Sequence, residues 1–283
     1  MGSPRAWDAF AIALVEHRTL WLTLAWLLGF LTIGVLETLR PRRPGQGQID
    51  RRWFGHLGLA VAGVALVALT IGDPFTSAVH ARGILPIAAL AGENTPLAIA
   101  LGVLAADFLR YWIHRINHLT PPLWRLHALH HADDRPDVTT SFRHHPLEHF
   151  LLIATAWVAH IGFGVNAEAL IVYGVVSAIL SPIQHANLRF RPEIERVAQW
   201  LLVTNAVHLS HHYTDRRDGA ANFGIVFTIW DRLFGTYRAP DPLRAERMRY
   251  GLDDVPAQSC ASLSAMILLP IRFPARSKPA RGL

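Results

Sequence analysis

Histidine supplies most of the chemistry available to this chain of 283 residues, which contains 16 histidines and one cysteine, Cys260. A single cysteine excludes a disulfide scaffold, which needs cysteine pairs, and a thiolate metal site, which needs several. Thirteen of the histidines lie between His114 and His212. Their short-spaced groups are His114-x3-His118, His127-x2-His130-His131, His145-x3-His149, the single His185, and His208-x2-His211-His212.

The spacing within these groups fits metal binding on helices. Residues four apart lie on one helical face, so His114 and His118 project together, and the first and last histidines of each His-x2-His-His group do the same. The middle histidine of each His-x2-His-His group, three residues after the first, projects from the other side of this helical face. That geometry suits two neighbouring metal ions better than one. Packing alone explains the groups poorly, since neutral imidazoles buried together need many hydrogen-bond partners.

The number of clustered histidines indicates a dinuclear centre. Imidazole alone suits zinc, copper, iron or nickel, so the ligand type does not choose the metal. Eight or more clustered histidines exceed the four positions of a closed tetrahedral zinc site and the three protein ligands of a catalytic one. The histidines expected to be ordinary core or interface residues are His17, His56, His80, His144 and His160.

Three polar residues are candidates to assist the histidines. Asp107 lies on one helical stripe with Tyr111, His114 and His118, so its carboxylate is predicted to reach the metal end of that helix. Glu148 and Asn187 are further candidates. Either side chain could orient an imidazole, bind a metal directly, or bind it through water.

Long apolar runs predict a membrane protein, in a chain that is 51% hydrophobic and 17% charged. The runs over residues 19–36 and 53–72 each have about the length that a helix needs to cross ~30 Å of hydrocarbon. A third membrane helix is expected to begin near residue 96 and to run out into the aqueous phase. Residues 150–165 and 169–183 are expected to form a short hairpin in the bilayer, 84–91 an interfacial piece, and 263–270 a surface segment.

These runs predict an all-α polytopic membrane protein with about four to five membrane helices and a cytoplasmic helical cap that carries the histidines. The expected division is an anchor over residues 1–95, a catalytic domain over 96–240 and a tail over 241–283.

Membrane topology explains the net charge of +6. The arginines between the first two apolar runs are Arg40, Arg42, Arg43, Arg51 and Arg52. The positive-inside rule places that loop in the cytoplasm, and counting crossings from it puts the histidine groups on the cytoplasmic side of what we expect to be a bacterial inner membrane. Nucleic-acid binding is not expected, because it predicts a solvated basic surface without long apolar runs.

The chain resembles the fatty acid hydroxylase superfamily, also called the sterol desaturase family, over residues 100–240. The segments that carry the resemblance appear in consistent order along the chain. They are Asp107-x6-His114-x3-His118, Leu123-Trp124-x2-His127-x2-His130-His131, Arg143-His144-His145-Pro146-Leu147-Glu148, His185-Ala186-Asn187, His208-x2-His211-His212, Asn222-Phe223-Gly224 and Trp230-x6-Tyr237.

The resemblance implies a membrane enzyme that holds two iron ions and uses O2 to hydroxylate or desaturate a lipid C–H bond. The ligands that it implies are His114, His118, His127, His130, His131, His145, His185, His208, His211 and His212. The spacing of the histidines adds His149 to this set. One departure is Ala220, where the family often has an acidic residue two positions before the Asn-Phe-Gly sequence. The loop around this position is expected to influence substrate entry, so sterol, fatty acyl, carotenoid and ether-lipid substrates all stay open.

The partners expected are a membrane lipid and a separate electron-donor protein of the ferredoxin or cytochrome type, because the sequence contains no haem or flavin motif. Cytoplasmic arginines offer a basic surface to such a donor. A histidine-rich membrane metal-binding or transport protein is the alternative hypothesis, but it predicts ligands near the midplane of the spans. A zinc-dependent hydrolase is a third hypothesis, although no His-Glu-x-x-His occurs.

Overall fold

The structure is a computed structural model that describes residues 6–44, 51–71, 84, 87–92, 95–215, 219–241, 247–255, 260 and 262–272. His80 lies outside the described residues, as do most of residues 72–86 and the end of the predicted tail.

The described residues form helices joined by short loops. The α-helices are α1 (Ala6–Glu16), α2 (Arg18–Leu39), α3 (Arg51–Thr70), α4 (Ile87–Leu90), α5 (Pro96–Leu119), α6 (Pro121–His131), α7 (Glu148–Trp157), α8 (Ala167–His185), α9 (Pro192–Ala198), α10 (Asn205–His211), α11 (Ile229–Leu233) and α12 (Leu263–Arg272). A 3-10 turn covers Val138–Phe142, and a π-helical turn, Val158–Gly162, follows α7 directly.

Four helices, α2, α3, α5 and α8, are long and apolar enough to cross a membrane. They confirm the predicted all-helical, multi-span architecture. The two runs nearest the N-terminus correspond to α2 and α3. The expectation that residues 169–183 are short for a crossing is wrong, because α8 extends beyond both ends of that run and contains 19 residues. Residues 150–165 form α7 and the π-helical turn, which together do not make a helix of membrane length among the described residues.

Polar caps fix where the two site-bearing membrane helices begin. Thr95 accepts a hydrogen bond from the backbone N–H of Ala98, and Pro96 occupies the first turn of α5, where a missing N–H costs nothing. Asn166 caps α8 in the same way through the N–H of Ala169. Both helices then run without a break to histidines near their C-terminal ends.

Small residues let the membrane helices approach each other closely. A methyl group on Gly29 of α2 would lie 3.3 Å from the carbonyl oxygen of Ala178 on α8, and one on Gly102 of α5 would lie 2.5 Å from the Cβ of Ala169. Such close approach is typical of helix packing in membranes, where apolar surface alone does not drive association. The helices α2, α5 and α8 therefore form one bundle that positions the histidines.

The C-terminal helix α12 packs into the protein. Met266 and Leu269 are fully buried against Leu59 of α3 and Leu129 of α6. The expectation of a segment lying only on the surface is therefore wrong for this face of the helix. Hydrophobic periodicity explains the difference, since the two buried residues are three apart and share a helical face.

Candidate metal centre

The histidines gather at one end of the helix bundle. His114 and His118 lie in the last two turns of α5, and His185 is the last residue of α8. The short helices α6 and α10 supply the histidines of the two His-x2-His-His groups, with His212 directly after the end of α10. The membrane-length helices thus carry part of the site on their ends, and the two short helices close it from the side.

The gathered histidines divide into two groups, which we call group A and group B. In each group one nitrogen of every ring lies within 4.8 Å of one nitrogen of every other ring. Group A consists of His114, His118, His127, His131 and His211. Group B consists of His130, His185, His208 and His212. The middle histidine of the α6 motif falls in a different group from its neighbours, as the three-residue spacing predicted.

Backbone carbonyls fix the tautomers of His114 and His211 in group A. The Nδ1–H of His114 donates to the carbonyl of Phe223 at 2.8 Å, and the Nδ1–H of His211 donates to the carbonyl of Ala221 at 2.7 Å. In the neutral form both Nε2 atoms therefore carry lone pairs, yet they face each other at 3.1 Å. The buried Nε2 atoms of His118, His127 and His131 make no hydrogen bond either. A cation among these five nitrogens would satisfy all of them, so group A fits a metal ion.

Group B has the same character. The Nδ1–H of His185 donates to the carbonyl of Ser181 at 2.8 Å, which leaves its Nε2 as a lone pair. That atom lies 3.1 Å from the Nε2 of His130 and 2.9 Å from the Nε2 of His208. The Nε2 of His212 lies 3.2 Å from the Nε2 of His208. Four ring nitrogens thus converge on one volume, and group B also fits a metal ion.

The environment keeps these imidazoles neutral. Burial is the main cause that lowers the pKa values of His130, His131, His208 and His212 well below the usual range, and the neighbouring imidazoles lower them further. Burial likewise lowers the pKa of His211 to about 3. Neutral imidazole is the form that binds metal, so the site is prepared for cations without having to release protons near pH 7.

Glu148 supports His127 from behind. Its Oε2 accepts a hydrogen bond from the Nδ1–H of His127 at 3.0 Å and lies 3.4 Å from Nδ1 of His144, while Oε1 accepts from the backbone N–H of His145. Burial opposes ionisation of Glu148, but the bonds from His127 and His144 outweigh it and hold the pKa of Glu148 well below its usual range. The carboxylate thus fixes the tautomer of His127 so that Nε2 points into group A.

The structure places His145 and His149 outside both groups. The Nδ1 of His145 accepts from the N–H of Leu147 at 3.2 Å, and its Nε2–H donates to the carbonyl of Ile267 at 3.1 Å. Both ring nitrogens of His145 thus make hydrogen bonds away from groups A and B. The ring of His149 instead lies against Gly63 of α3.

His144, which was expected to be an ordinary residue, lies closer to the groups than His145. Its ring stacks on that of His130 with centroids 4.4 Å apart. His144 also forms a third set of convergent ligand atoms with His127 and Glu148. Sequence spacing did not reveal this, because two adjacent histidines in a non-helical loop cannot be distinguished by a four-residue period.

Asp107 supports a loop. Its carboxylate accepts hydrogen bonds from the Tyr173 hydroxyl, the backbone N–H groups of Val226 and Phe227, and the Trp230 indole, at 2.9–3.1 Å. These four donors satisfy it, and all come from α8 or from the chain after the histidine groups. These contacts differ from the prediction, in which the Asp107 carboxylate reaches the end of α5 that carries the metal-binding histidines.

Asn187 likewise contacts backbone. Its amide exchanges two hydrogen bonds of 2.9 Å with the main chain of Arg43, and its own N–H donates to Glu37 at 2.9 Å. Glu37 also accepts from the N–H of Val138. Asn187 and Glu37 thus hold together the end of α2, the residues after α8 and the 3-10 turn.

A loop near residue 223 orients group A, and spacing among histidines did not reveal it. Ala221 and Phe223 supply the carbonyls that bind His211 and His114. Asp231 holds this loop by accepting from the N–H groups of Phe223 at 2.7 Å and Gly224 at 2.8 Å. The Asn-Phe-Gly sequence, expected to influence substrate entry, thus supports His114 through its backbone, and the preceding Ala221 supports His211.

Aromatic side chains cover the outside of group A. The ring centroid of Phe223 lies 5.2 Å from that of His118, and the ring of Trp124 lies 5.0 Å from His118 and 5.4 Å from His131. These rings exclude water from the imidazoles, which strengthens electrostatic interactions within the site.

Comparison with known protein families agrees with this geometry. The fatty acid hydroxylase family model matches residues 99–236, which include every histidine of groups A and B. Residues 99–236 are a fatty acid hydroxylase domain. The resemblance stated from the motifs is therefore confirmed.

Relatives within the fatty acid hydroxylase family act on lipids. An ornithine lipid hydroxylase from Rhizobium tropici is 28% identical over 80% of this chain and 69% of its own length. The alkylglycerol monooxygenase of Homo sapiens is 27% identical over 53% of this chain and 32% of its own length. The lathosterol oxidase of Homo sapiens is 29% identical over 47% of this chain and 42% of its own length. The chain thus matches less than half the length of the two human relatives.

These similarities confirm the predicted class, a membrane oxidoreductase of the lipid-oxidising fatty acid hydroxylase family. No solved structure gives a significant match.

Proposed function

We propose that the chain binds two iron ions, one in group A and one in group B, and uses O2 to hydroxylate or desaturate a membrane lipid. The observation that carries the proposal is the convergence of nine imidazoles into two adjacent groups with lone pairs facing inward. Imidazole nitrogen is a suitable ligand for iron. The predicted catalytic domain, residues 96–240, contains all nine.

Bound iron would supply the reduction of O2 that makes attack on an unactivated C–H bond possible. The chain's own residues orient and protect the site. The carbonyls of Phe223, Ala221 and Ser181 keep three ligand rings in the tautomer that presents Nε2, and Glu148 does the same for His127. Phe223 and Trp124 keep water from the histidines, which limits release of reactive oxygen species into solvent.

His144 is proposed as an additional member of the site in place of His145. Its Nδ1 faces Glu148, and its ring stacks on His130 of group B. The predicted roles of Asp107 and Asn187 become positioning roles in this proposal, because their carboxylate and amide contact loops that hold the bundle and the histidine-bearing segments together.

An acyl lipid with an amino-acid headgroup is the first substrate class to test. The relative from Rhizobium tropici acts on ornithine lipid and matches most of both chains. The human alkylglycerol monooxygenase and lathosterol oxidase are similar over shorter regions.

The electrons are proposed to come from a separate ferredoxin- or cytochrome-type protein on the cytoplasmic side. The loop between α2 and α3 is rich in arginine, and it leads into the ends of these helices that lie near the histidines. An acidic donor would be attracted to such a surface.

Metal transport is less well supported by this arrangement. Transport predicts ligands near the middle of the spans. His118 lies in the last turn of α5, and His185 ends α8, so the site lies at the ends of the membrane helices.

Metal analysis and lipid analysis together test the proposal. The purified wild-type protein is expected to hold about two irons per chain, and cells that carry the gene are expected to accumulate a lipid that has gained one oxygen atom or lost two hydrogens. This conversion should require both O2 and a reductant. Full conversion by iron-free protein, or restoration of the missing lipid by the His130→Ala variant, would contradict the proposal.

A further inference from the structure

Six exposed hydrophobic residues lie near each other outside the four membrane-length helices. We call them the α9–α11 surface: Ile194, Val197, Trp200, Leu201, Ile229 and Leu233. Val197 is 73% exposed, Trp200 71% and Leu233 67%. Single exposed hydrophobic residues are common on soluble proteins, but a contiguous group of this size indicates contact with another apolar phase.

Hydrogen bonds join the two segments that form this surface. The N–H of Thr228 donates to the carbonyl of Leu201 at 3.0 Å, and Arg232 donates to the carbonyl of Gln199 at 3.0 Å. The guanidinium of Arg232 lies 4.8 Å from the centre of the Trp200 ring. The α9–α11 surface is therefore one fixed face of the protein.

The face is attached at the level of the membrane helices. The backbone of Val226 and Phe227 and the indole of Trp230 donate to Asp107, which lies half-way along α5. At 1.5 Å per residue Asp107 is roughly 16 Å from the start of α5. A bilayer has a hydrocarbon core of about 30 Å, so a segment bound to Asp107 starts within the depth of the membrane.

The residues beside this attachment are also apolar. Leu202 and Phe227 pack in one cluster with Val103 of α5 and Leu180 of α8. Both helices have the length and hydropathy of membrane spans. The α9–α11 surface is thus continuous with the apolar side of the bundle.

The chemistry of the surface fits a lipid interface better than a protein partner. Tryptophan is enriched where headgroups meet acyl chains, and Arg232 keeps its charge beside the Trp200 ring while its stem covers apolar surface. The charged residues of α9 are of both signs, Glu193, Glu195 and Arg196, whereas an acidic electron donor would require a surface with mainly basic side chains.

We propose that the α9–α11 surface is embedded in the interfacial layer of the bilayer, in the leaflet next to the histidine groups. The surface contacts lipid headgroups and the upper parts of acyl chains. The inference depends on the membrane location of the protein and not on its metal or its reaction. Where the proposed function holds, this contact keeps the end of the bundle against the leaflet from which a lipid would enter.

Spin-label accessibility in lipid nanodiscs tests this inference. Single cysteines are introduced at Val197, at Leu28 of α2 as a lipid-facing reference, and at Arg125 of α6 as a water-facing reference, in a Cys260→Ala background. The label at position 197 is expected to collide more with O2 than with a water-soluble nickel chelate, as the label at 28 does. The label at 125 is expected to show the reverse.

A label at position 197 that behaves like the one at 125 would overturn the proposal. The same holds if the label is exposed to water until an electron-donor protein is added, because the surface would then be a protein docking site. Where Val197→Cys does not fold, Leu233→Cys on α11 serves the same test, since it belongs to the same face. Folding is checked by monodisperse elution of each labelled protein.

Discussion

The Nε2 atoms of His114 and His211 lie 3.1 Å apart, although neither ring can donate a hydrogen bond to the other in its neutral form. Each ring has already used its proton on a backbone carbonyl. Two lone pairs at this distance repel each other unless a cation lies between or beside them. The pair is therefore the most direct structural sign of a metal ion in group A.

Loss of one of these rings should reduce metal binding. We expect His211→Ala to hold roughly one iron fewer per chain than the wild-type protein, because group A loses a ligand while group B keeps all four of its own. Metal analysis of the purified variant measures this. His17→Ala is the matched control, since His17 is exposed and distant in sequence from both groups. Full iron content in His211→Ala would show that this ring is not a ligand.

Asp231 should act on metal affinity without touching a histidine. Its two carboxylate oxygens hold the N–H groups of Phe223 and Gly224, and the carbonyl of Phe223 orients His114. We expect Asp231→Ala to weaken metal affinity by about 10–100-fold, as for other residues that support ligands. Competition with a chelator measures this affinity.

Two further variants separate this role from general destabilisation. Asp231→Asn keeps one acceptor oxygen and should fall between Asp231→Ala and the wild-type protein. Asp253→Asn removes a carboxylate from an exposed pair with Arg249 and should change nothing. Equal metal affinity in all four proteins would refute the positioning role of Asp231.

Sequence patterns predicted the parts of this protein that depend on local periodicity. Uncharged runs gave α2 and α3, and four-residue spacing placed His127 with His131 in group A and His208 with His212 in group B. The pairing of His114 with the carbonyl of Phe223 joins residues far apart in the chain, so no local pattern contains it.

The structure also separates the two adjacent histidines, His144 and His145, in a way that their spacing did not predict. The turn after Arg143 consumes both ring nitrogens of His145 in hydrogen bonds, to Leu147 and Ile267, and leaves the ring of His144 facing Glu148. The second of those partners lies on α12, whose docking could not be read from a short apolar run. Tertiary contacts therefore determine which of the two rings faces Glu148 and the histidine groups.

Substitutions of His144 and His145 should have different effects on metal binding and on stability. His144→Ala should lose lipid conversion and alter metal binding, because its ring contacts both Glu148 and His130. His145→Ala should keep its metal content and instead lower thermal stability, since it removes the bonds to Leu147 and Ile267. Metal analysis and a melting curve on the two proteins distinguish the outcomes. Loss of iron in His145→Ala with unchanged iron in His144→Ala would restore the assignment made from sequence.

The start of α3 carries a buried ion-pair network whose disruption should destabilise the fold. Arg52 donates to Asp133 at 2.7 Å and to Asp137 at 2.8 Å, and both carboxylates are fully buried. Arg52→Met removes the ion-pair partner that two buried carboxylates share, so we expect a loss of about 3–5 kcal/mol in the free energy of unfolding. Thermal or denaturant unfolding in detergent measures this loss.

A second variant shows whether charge is the cause. Asp137→Asn in the Arg52→Met background removes one of the unpaired charges while its side-chain oxygen can still accept from the hydroxyl of Thr139. The double variant should therefore be more stable than Arg52→Met alone. A second substitution at an unrelated site would instead be expected to lower the stability of Arg52→Met further. A double variant less stable than Arg52→Met would mean that packing of the Arg52 stem, and not its charge, stabilises this end of α3. Asp137 caps the 3-10 turn Val138–Phe142, which leads into the loop that carries His144. The metal content of the same variants should therefore be measured as well, and the ion-pair explanation expects it to follow their stability.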